Sequence, residues 1–177
     1  MIDQFIRQGI DRFCIAPGSR NTPLVIAAAE HPQAKTIVHY DERGLGFYAL
    51  GYAKGAKKPA AIITTSGTAA GNLLPSVMEA HHSSIPMLLL TTDRPAELRD
   101  CGANQTTDQA KMFSHFVRWQ ADLNRGLLCG LCRLFRFQPE LRGVKLQRLA
   151  GRLPGCGRAR PASRLGHAGG GLRLRLL

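Results

Sequence analysis

Four short apolar runs, each followed by a polar or glycine-rich turn, organise the first 122 residues of the chain. The runs occupy residues 13–16, 36–40, 60–65 and 86–92. They have the length of strands, and the segments that follow them recur mostly with helical period. Strands that alternate with helices predict an α/β fold with a doubly wound, mostly parallel sheet. The near-continuous apolar runs predict strands that are buried on both faces.

Helices are predicted at residues 1–9, 24–30 and 45–56, and from about residue 72 to residue 80. The helix at 45–56 carries small residues four positions apart, Ala49 with Ala53 and Gly51 with Gly55. Small residues at this spacing let another backbone approach closely, although glycine costs a helix interior about 1 kcal/mol relative to alanine. We therefore expect this helix to pack at a crowded interface. The first helix has the pattern of the last turns of a longer one, which predicts a truncated start.

Side chains with binding chemistry follow each of the four strands. They are Ser19 and Arg20, Glu42, Ser66 with Gly67 and Thr68, and Asp93 with Arg94. A long loop then leads to Gln105, whose amide is a further candidate for substrate binding. Parallel strands end at one edge of a sheet, where α/β proteins bind ligands. Arginine suits carboxylates and phosphates, and a glycine turn exposes backbone N–H groups, so the sequence predicts a site at this edge.

Each group also has an ordinary structural interpretation. Asp41 is suited to cap the helix at 45–56, and Glu42 to favour its positive end. The hydroxyl of Ser66, or that of the threonine two residues on, is suited to cap the next helix. Arg20 and Arg94, taken singly, are typical solvated surface charges. The placement of all four groups at one edge favours a site over four independent structural roles.

Five segments carry a family resemblance. They are residues 15–24 (IAPGSRNTPL), 39–46 (HYDERGLG), 65–69 (TSGTA), 92–98 (TDRPAEL) and 100–105 (DCGANQ). In this order and spacing they resemble the N-terminal, pyrimidine-binding domain of the 2-succinyl-5-enolpyruvyl-6-hydroxy-3-cyclohexene-1-carboxylate synthases. These are thiamin-diphosphate enzymes, transferases of menaquinone and phylloquinone biosynthesis. The resemblance covers about residues 1–122 and then stops.

The resemblance implies how the cofactor is bound. Glu42 matches the catalytic glutamate, which hydrogen-bonds a ring nitrogen of the aminopyrimidine of thiamin diphosphate and so favours loss of the thiazolium proton. Thr65, Ser66, Gly67 and Thr68 match the segment beside the pyrimidine. The cofactor supplies the electron sink, and the protein supplies position and charge.

The resemblance also implies the substrates. Ser19, Arg20, Arg94 and Gln105 match positions that contact 2-oxoglutarate and isochorismate, which the synthases join with loss of carbon dioxide. Another thiamin-diphosphate carboligase or decarboxylase is the alternative among enzymes. The segments PGSR at residues 17–20 and DRP at residues 93–95 favour the synthases.

Part of the family's site has no counterpart in the sequence. The synthases bind the diphosphate and Mg²⁺ through a separate C-terminal domain with a Gly-Asp-Gly motif, and a partner subunit completes each site in a homodimer or homotetramer. No such motif occurs in these 177 residues. We therefore expect no metal ligand in this chain and no activity from the chain alone.

Charge divides the chain into two parts. Residues 1–122 contain 12 basic and 11 acidic residues, whereas residues 123–177 contain 12 basic residues and the single acidic residue Glu140. We predict a pyrimidine-binding domain at residues 1–122. Residues 123–177 are predicted to form an irregular or disordered tail without strand alternation, rich in arginine, glycine and leucine. The abrupt change of composition favours a frameshift near residues 123–125.

The tail allows two sharper interpretations, both of them weak. Cys129 and Cys132 have the spacing of zinc ligands, with Cys156 and His167 as further candidates, but no second cysteine pair follows. The arginines are suited to binding nucleic acid or another polyanion, which gives a non-catalytic binding protein as the alternative from outside enzymes. The two aromatic residues of the tail are too few for a base-stacking platform.

The remaining composition bounds the location of the protein. No apolar run reaches the roughly 20 residues that a membrane-spanning helix needs, and no secretory leader opens the chain. The odd number of cysteines, five, favours a reducing compartment. We predict the bacterial cytoplasm, or the plastid for a plant source.

Overall fold

A single sheet organises the computed structural model, which describes residues 1–98, 100–123 and 171–176. The strands within these residues are β1 Arg12–Ile15, β2 Lys35–Val38, β3 Ala60–Thr64, β4 Met87–Asp93, β5 Trp119–Leu123 and β6 Gly171–Leu176. They lie in the order β2-β1-β3-β4-β6-β5. The strands β1 to β4 pair in parallel, and β6 pairs antiparallel with both β4 and β5. The predicted α/β fold with a mostly parallel sheet is confirmed.

Helices precede and connect the parallel strands. They are α1 Ile2–Arg7, α2 Thr22–Ala29, α3 Glu42–Ala56, α4 Thr68–Gly71 and α5 Leu74–His82. Short 3-10 turns follow at Ala96–Leu98 and Ser114–Phe116. The turn predicted at residues 66–72 contains α4, and α5 begins with Pro75 in its first turn, where the missing N–H costs no helical hydrogen bond.

The core consists of two apolar clusters, one on each face of the sheet. On one face α1 and α2 cover residues that include Phe13, Ile63 and Leu90. On the other face α3 and α5 cover residues that include Ile62 and Leu89. Neighbouring residues of one strand contribute to opposite clusters because side chains alternate along a strand. Helices on both faces make the sheet doubly wound, as predicted.

Burial on both faces holds for three of the four predicted strands. β3 and β4 are buried throughout, and β1 is buried after its first residue. The prediction is wrong for β2, which is exposed apart from the partly buried Ile37. Within the described residues β2 is the end strand of the sheet and pairs only with β1, so one of its edges lacks a neighbour.

The prediction of an irregular tail is wrong for residues 171–176. These residues form β6. Its Leu172 pairs with Thr92 of β4 on one side and with Leu123 of β5 on the other. The physical reason is visible in the sequence GLRLRL, whose leucine and arginine alternate with the period of a strand. Residues 124–170 lie outside the described residues, and so do the candidate zinc ligands. The frameshift and the domain boundary at residue 122 stay predictions.

The predicted close packing of α3 holds on one side of the helix. The two alanines are buried, and a Cβ added to Gly46 would lie 2.3 Å from Oγ of Ser76 in α5. Gly51 and Gly55 are exposed, and within the described residues a Cβ at either would have no neighbour within 4 Å. The crowded interface inside this chain is therefore at Gly46.

Candidate functional site

Glu42 stands at the junction of β2 and α3, where a helix cap fixes the backbone. Oδ1 of Asp41 accepts the N–H groups of Arg43 at 2.9 Å and Gly44 at 3.4 Å, which confirms Asp41 as the cap. Glu42 follows as the first residue of α3 and is partly buried. Within the described residues its carboxylate has no hydrogen bond or ion pair. The carboxylate is thus available to a ligand at the positive end of α3.

The turn after β3 depends on the glycine at its centre. Gly67 has φ 75°, and a Cβ there would lie 2.9 Å from Cα of Gln105. The hydroxyl of Ser66 donates to the carbonyl of Gln105 at 2.7 Å. The N-cap of α4 is Gly67 itself, without a side-chain cap, so the interpretation of Ser66 or Thr68 as a cap is wrong. Ser66 instead ties the loop at residues 100–106 to the end of β3.

Thr65 carries a buried hydroxyl with no hydrogen-bond partner among the described residues. The residue is 5% exposed. A Cβ added to Gly18 would lie 2.5 Å from Cβ of Thr65, so the loop after β1 packs directly on this side chain. A buried polar group without a partner costs roughly 1–3 kcal/mol. A polar ligand group that binds here would remove that cost.

Arg20 and Arg94 converge on one loop. Nη1 of Arg20 lies 3.5 Å from Oε1 of Gln105, and the guanidinium group of Arg94 donates to the carbonyl of Asn104. Both arginines are partly buried. Burial lowers the pKa of Arg20, the positive charge of Arg94 lowers it further, and the charge of Asp93 opposes the shift. Partial burial and contacts with the same loop favour a shared role for the two arginines over that of two solvated surface charges.

Three buried polar groups support this edge, and sequence reasoning did not identify two of them, Asn21 and Gln109. Asp93, predicted only as a strand-end residue, is fully buried, and its Oδ1 accepts the N–H of Arg94 at 2.8 Å. Asn21 is also fully buried and donates to the carbonyl of Ala16 at 2.7 Å. Gln109 is fully buried and donates to a β4 carbonyl at 3.2 Å. A polar residue at the end of an apolar strand is the signal that points to Asp93.

The structure brings some of the predicted residues into contact and leaves others at the same edge. Arg20, Arg94, Ser66 and Gln105 are linked through residues 104 and 105. Ser19 is exposed, and its carbonyl accepts the hydroxyl of the threonine at position 22 at 3.0 Å. Among the described residues, neither Ser19 nor the Glu42 carboxylate hydrogen-bonds to the linked group.

The donors and acceptors at the edge suit two kinds of ligand group, a polar aromatic ring and a carboxylate. The Glu42 carboxylate and the buried Thr65 hydroxyl, neither of which has a hydrogen-bond partner within the described residues, suit the nitrogen-rich ring of an aminopyrimidine. Gly67 removes the side chain that would collide with the backbone of Gln105, and so lets this loop close over the end of β3. The guanidinium groups of Arg20 and Arg94 suit carboxylates.

The described residues contain neither a cluster of metal-ligating side chains nor a membrane-spanning helix. No group of three His, Cys, Asp or Glu side chains there is arranged to hold a metal ion. None of the helices in the described part of the chain is long and apolar enough to cross a membrane.

Comparisons with known proteins identify the same region. Residues 1–112 match the family described as thiamine pyrophosphate enzyme, N-terminal TPP binding domain. Three similar curated relatives are each named 2-succinyl-5-enolpyruvyl-6-hydroxy-3-cyclohexene-1-carboxylate synthase. The chain is 55% identical over 123 residues to that of Salinibacter ruber, covering 70% of this chain and 21% of the relative. It is 59% identical over 115 residues to that of Psychromonas ingrahamii, covering 65% and 20%. The relative from Haloarcula marismortui is 49% identical over 123 residues, covering 70% and 21%.

The match and the site geometry agree on one part of a larger protein. The chain spans about a fifth of the length of the curated relatives it matches, 21% of the relative from Salinibacter ruber. The matched segment contains β1 to β4 and every strand-end residue described above. The chain belongs to the thiamine pyrophosphate enzymes, and its matched segment is their N-terminal, cofactor-binding domain.

Proposed function

We propose that the chain provides the pyrimidine-binding side of a synthase site that joins 2-oxoglutarate to isochorismate, with loss of carbon dioxide, in menaquinone or phylloquinone biosynthesis. The observation that carries the proposal is the placement, at one edge of the sheet, of a carboxylate and a buried hydroxyl that have no partner within the described residues, together with two guanidinium groups that meet on one loop. The names of the relatives support the choice of reaction. They also do not favour the alternative of another thiamin-diphosphate carboligase or decarboxylase.

Glu42 is the proposed catalytic residue. Its carboxylate accepts or shares a proton with a ring nitrogen of the aminopyrimidine, and the Asp41 cap holds it in place at the start of α3. When bound, thiamin diphosphate supplies the acidic carbon and the electron sink that decarboxylation of a 2-oxo acid requires. Thr65, Ser66, Gly67 and Thr68 are the proposed neighbours of the ring, where the Thr65 hydroxyl gains the hydrogen bond that it lacks within the described residues.

The arginines are the proposed substrate-binding residues. 2-Oxoglutarate and isochorismate each carry two carboxylates, and arginine binds a carboxylate with two parallel hydrogen bonds. Arg20 and Arg94 at present donate to neutral oxygens of residues 105 and 104. An anionic carboxylate is a stronger acceptor than either. Gln105 and the exposed Ser19 complete the proposed contacts.

The rest of the proposed site comes from outside the described residues. We place the ligands of Mg²⁺ and of the diphosphate on a separate domain, and we propose that a second copy of the subunit completes the site in a homo-oligomer. The face of α3 that carries Phe47 and Tyr48, 45% and 42% exposed, lies next to the open Gly51 and is suited to such a contact. The cytoplasmic location stays a prediction.

The test places the matched segment in a complete enzyme. Residues 1–123 replace the corresponding segment of the Salinibacter ruber synthase, and carboligation is measured with 2-oxoglutarate, isochorismate, thiamin diphosphate and Mg²⁺. We expect an active chimera that loses at least about 100-fold in kcat when Glu42→Gln removes the carboxylate. Glu30→Gln, an exposed glutamate in the same segment, is the matched control and should leave the rate unchanged. An active chimera whose rate survives Glu42→Gln would contradict the proposal.

A further inference from the structure

His39 follows the last residue of β2 and contacts the turn that leads to Glu42. Its backbone N–H donates to the carbonyl of Ile15, the last residue of β1, at 3.0 Å. Nδ1 of its imidazole accepts the backbone N–H of Asp41, two residues further along, at 3.0 Å. The ring also lies against the first turn of α3, because a Cβ added to Gly44 would be 3.3 Å from its Cε1. One partly buried side chain therefore links the sheet to the start of the helix.

The hydrogen bonds around Asp41 decide which nitrogen of the imidazole carries the proton. Nδ1 of His39 lies 3.0 Å from the backbone nitrogen of Asp41 and also 3.0 Å from its carbonyl oxygen. That oxygen already accepts the N–H of Leu45 at 2.9 Å, at the start of α3. A proton on Nδ1 would face the Asp41 N–H, one donor against another. We therefore assign the proton of the neutral imidazole to Nε2.

Two hydrogen bonds of the same pattern, each spanning two residues, follow one another and enclose Glu42. The first joins the Asp41 N–H to His39, and the second joins the Arg43 N–H to Oδ1 of Asp41 at 2.9 Å. Glu42 lies between them, and its carboxylate has no hydrogen bond or ion pair within the described residues. Its position therefore depends on the backbone of the turn. β2 gives that turn little support, because it is mostly exposed and is the end strand of the described sheet.

We propose that His39 is a positioning residue whose Nδ1 holds the backbone of Asp41, and thereby orients the Glu42 carboxylate toward the cofactor ring. The inference rests on the proposed function, in which Glu42 is the catalytic residue. His39 itself does not touch the cofactor or the substrates. Asparagine is the conservative substitute, because its side-chain oxygen accepts an N–H two residues further along, whereas alanine has no acceptor.

The first experiment measures amide hydrogen exchange in the full chain, without cofactor. His39→Ala should accelerate exchange at residues 41, 43 and 44 by about 10-fold, because the turn loses the link to the sheet. His39→Asn should leave these amides protected. The amide of Glu30, which donates to the carbonyl of Ile26 in α2 at 2.9 Å, is the internal reference and should not change.

The exchange rates separate a local role from a general one. Unchanged exchange in His39→Ala would overturn the proposal. An equal acceleration at Glu30 would also overturn it, because His39 would then stabilise the whole domain rather than the turn. If His39→Ala does not fold, His39→Gln takes its place, because its amide lies one methylene further from the backbone and does not reproduce Nδ1. Protection in His39→Asn but not in His39→Gln is then the expected result, and equal protection in both overturns the proposal.

Nitrogen NMR of the same chain tests the tautomer directly. The imidazole signals that disappear in His39→Asn belong to His39, and in the neutral ring they should show an unprotonated Nδ1. A protonated Nδ1 would overturn the proposal, because the Asp41 N–H would then have no acceptor on this ring.

The second experiment measures carboligation by the chimera with the Salinibacter ruber synthase. His39→Ala should lower kcat by about 10-fold or more, and His39→Asn should restore most of the rate. Once Glu42→Gln is present, His39→Ala should have no further effect. His82→Ala, which removes an exposed histidine of α5, is the matched control and should leave the rate unchanged.

The two experiments fail in different ways. Equal losses of kcat with and without the Glu42 carboxylate would overturn the positioning role, because His39 would then act through stability. A chimera that is inactive, or whose rate survives Glu42→Gln, would contradict the proposed function alone. The link from His39 to Asp41 is measured without cofactor, so the exchange rates and the tautomer still decide it.

Discussion

Strands β3 and β4 begin with apolar residues and end in polar residues, and both groups are buried to the same extent. Residues 60–63 and 87–90 are aliphatic and 0% exposed. Residues 64–66 and 91–93 are polar and at most 6% exposed. The aliphatic half of the strands, which we term the sheet body, packs into the two apolar clusters. The polar half, the site edge, faces the loops that carry the arginines.

This difference shows where the protein has a lower folding stability in order to keep a binding site. Four buried oxygens near the site edge lack a hydrogen-bond partner within the described residues. They belong to Asn21, Thr65, Thr91 and Gln109. Each costs on the order of 1–3 kcal/mol, which burial in the sheet body offsets. Features of this kind are expected where function rather than folding selects the residues.

The largest expected effect comes from the sheet body. Leu89→Ala should lower the free energy of unfolding by about 2–5 kcal/mol, because Leu89 is fully buried and the substitution leaves a cavity. Urea denaturation of the full chain measures it. Ile26→Ala, at an exposed position of α2, is the control and should cost no more than about 0.5 kcal/mol. Similar losses at both positions would break the comparison between body and surface.

The packing of α3 against the sheet body gives the next effect. Gly46→Ala should cost about 1–3 kcal/mol, because the new Cβ would overlap Oγ of Ser76. Gly51→Ala, in the same helix but in open space, should instead stabilise the chain by about 0.5–1 kcal/mol. Thermal unfolding of the two variants measures the difference. Two substitutions with the same sign would contradict the placement of the crowded side of α3.

Two threonines sharpen the comparison at the site edge itself. The hydroxyl of Thr92 donates to the carbonyl of Thr64 at 3.1 Å, so Thr92→Val should cost about 1 kcal/mol. Thr65→Val should be neutral or stabilising by a similar amount, because the hydroxyl that it removes is buried without a partner in the described residues. Denaturation curves of both variants test this. A loss at Thr65 as large as that at Thr92 would mean that the Thr65 hydroxyl is satisfied.

The smallest effect is expected at the opposite end of the strands, where Lys35 and Asp11 form an ion pair. Nζ of Lys35 lies 3.2 Å from Oδ2 of Asp11. Burial raises the pKa of Asp11, but the hydrogen bond and charge of Lys35 and the charge of Lys58 outweigh it, and the pKa is lowered overall. A lowered pKa in the folded state contributes stability above the unfolded pKa of about 3.9, and the contribution is lost as the pH falls through the folded value.

Lys35→Gln should therefore lower the free energy of unfolding by roughly 0.2–1 kcal/mol at neutral pH, since the lysine is largely exposed. The difference from the parent chain should shrink as the pH falls below about 3.9. Unfolding curves recorded between neutral and acidic pH measure the trend. A difference that does not change with pH would assign the effect to the aliphatic part of Lys35 rather than to its charge.

The parallel part of the fold follows from local patterns. Each of β1 to β4 is a short apolar run with a breaker-rich turn behind it, and the cap at Asp41 fixes the start of α3 within the sequence itself. The exposure of β2 is not local, because it depends on which strand lies at the end of the sheet. The pairing of β6 is also not local, and its short alternating pattern stands in a stretch of biased composition.

The site residues also divide into those that their place in the sequence predicts and those that tertiary packing brings together. Glu42 and Arg94 could be assigned to the edge because Arg94 directly follows β4 and Glu42 begins α3 after the turn that follows β2. The contact of Gln105 with Arg20 and with Ser66 depends on the path of a loop 39 residues beyond Ser66. The burial of Gln109 depends on the same loop. Such contacts arise from tertiary packing, which periodicity does not encode.

The position of β6 in the sheet bears on how the chain is made. β4 ends at residue 93, and its antiparallel neighbour begins only at residue 171. Until that segment has left the ribosome, β4 lacks its β6 neighbour, and the unpaired backbone N–H and C=O groups of such an edge are a template for pairing with other chains. Closure over so long a separation is also slow. The β4 edge is therefore the stretch that a molecular chaperone would have to shield during translation.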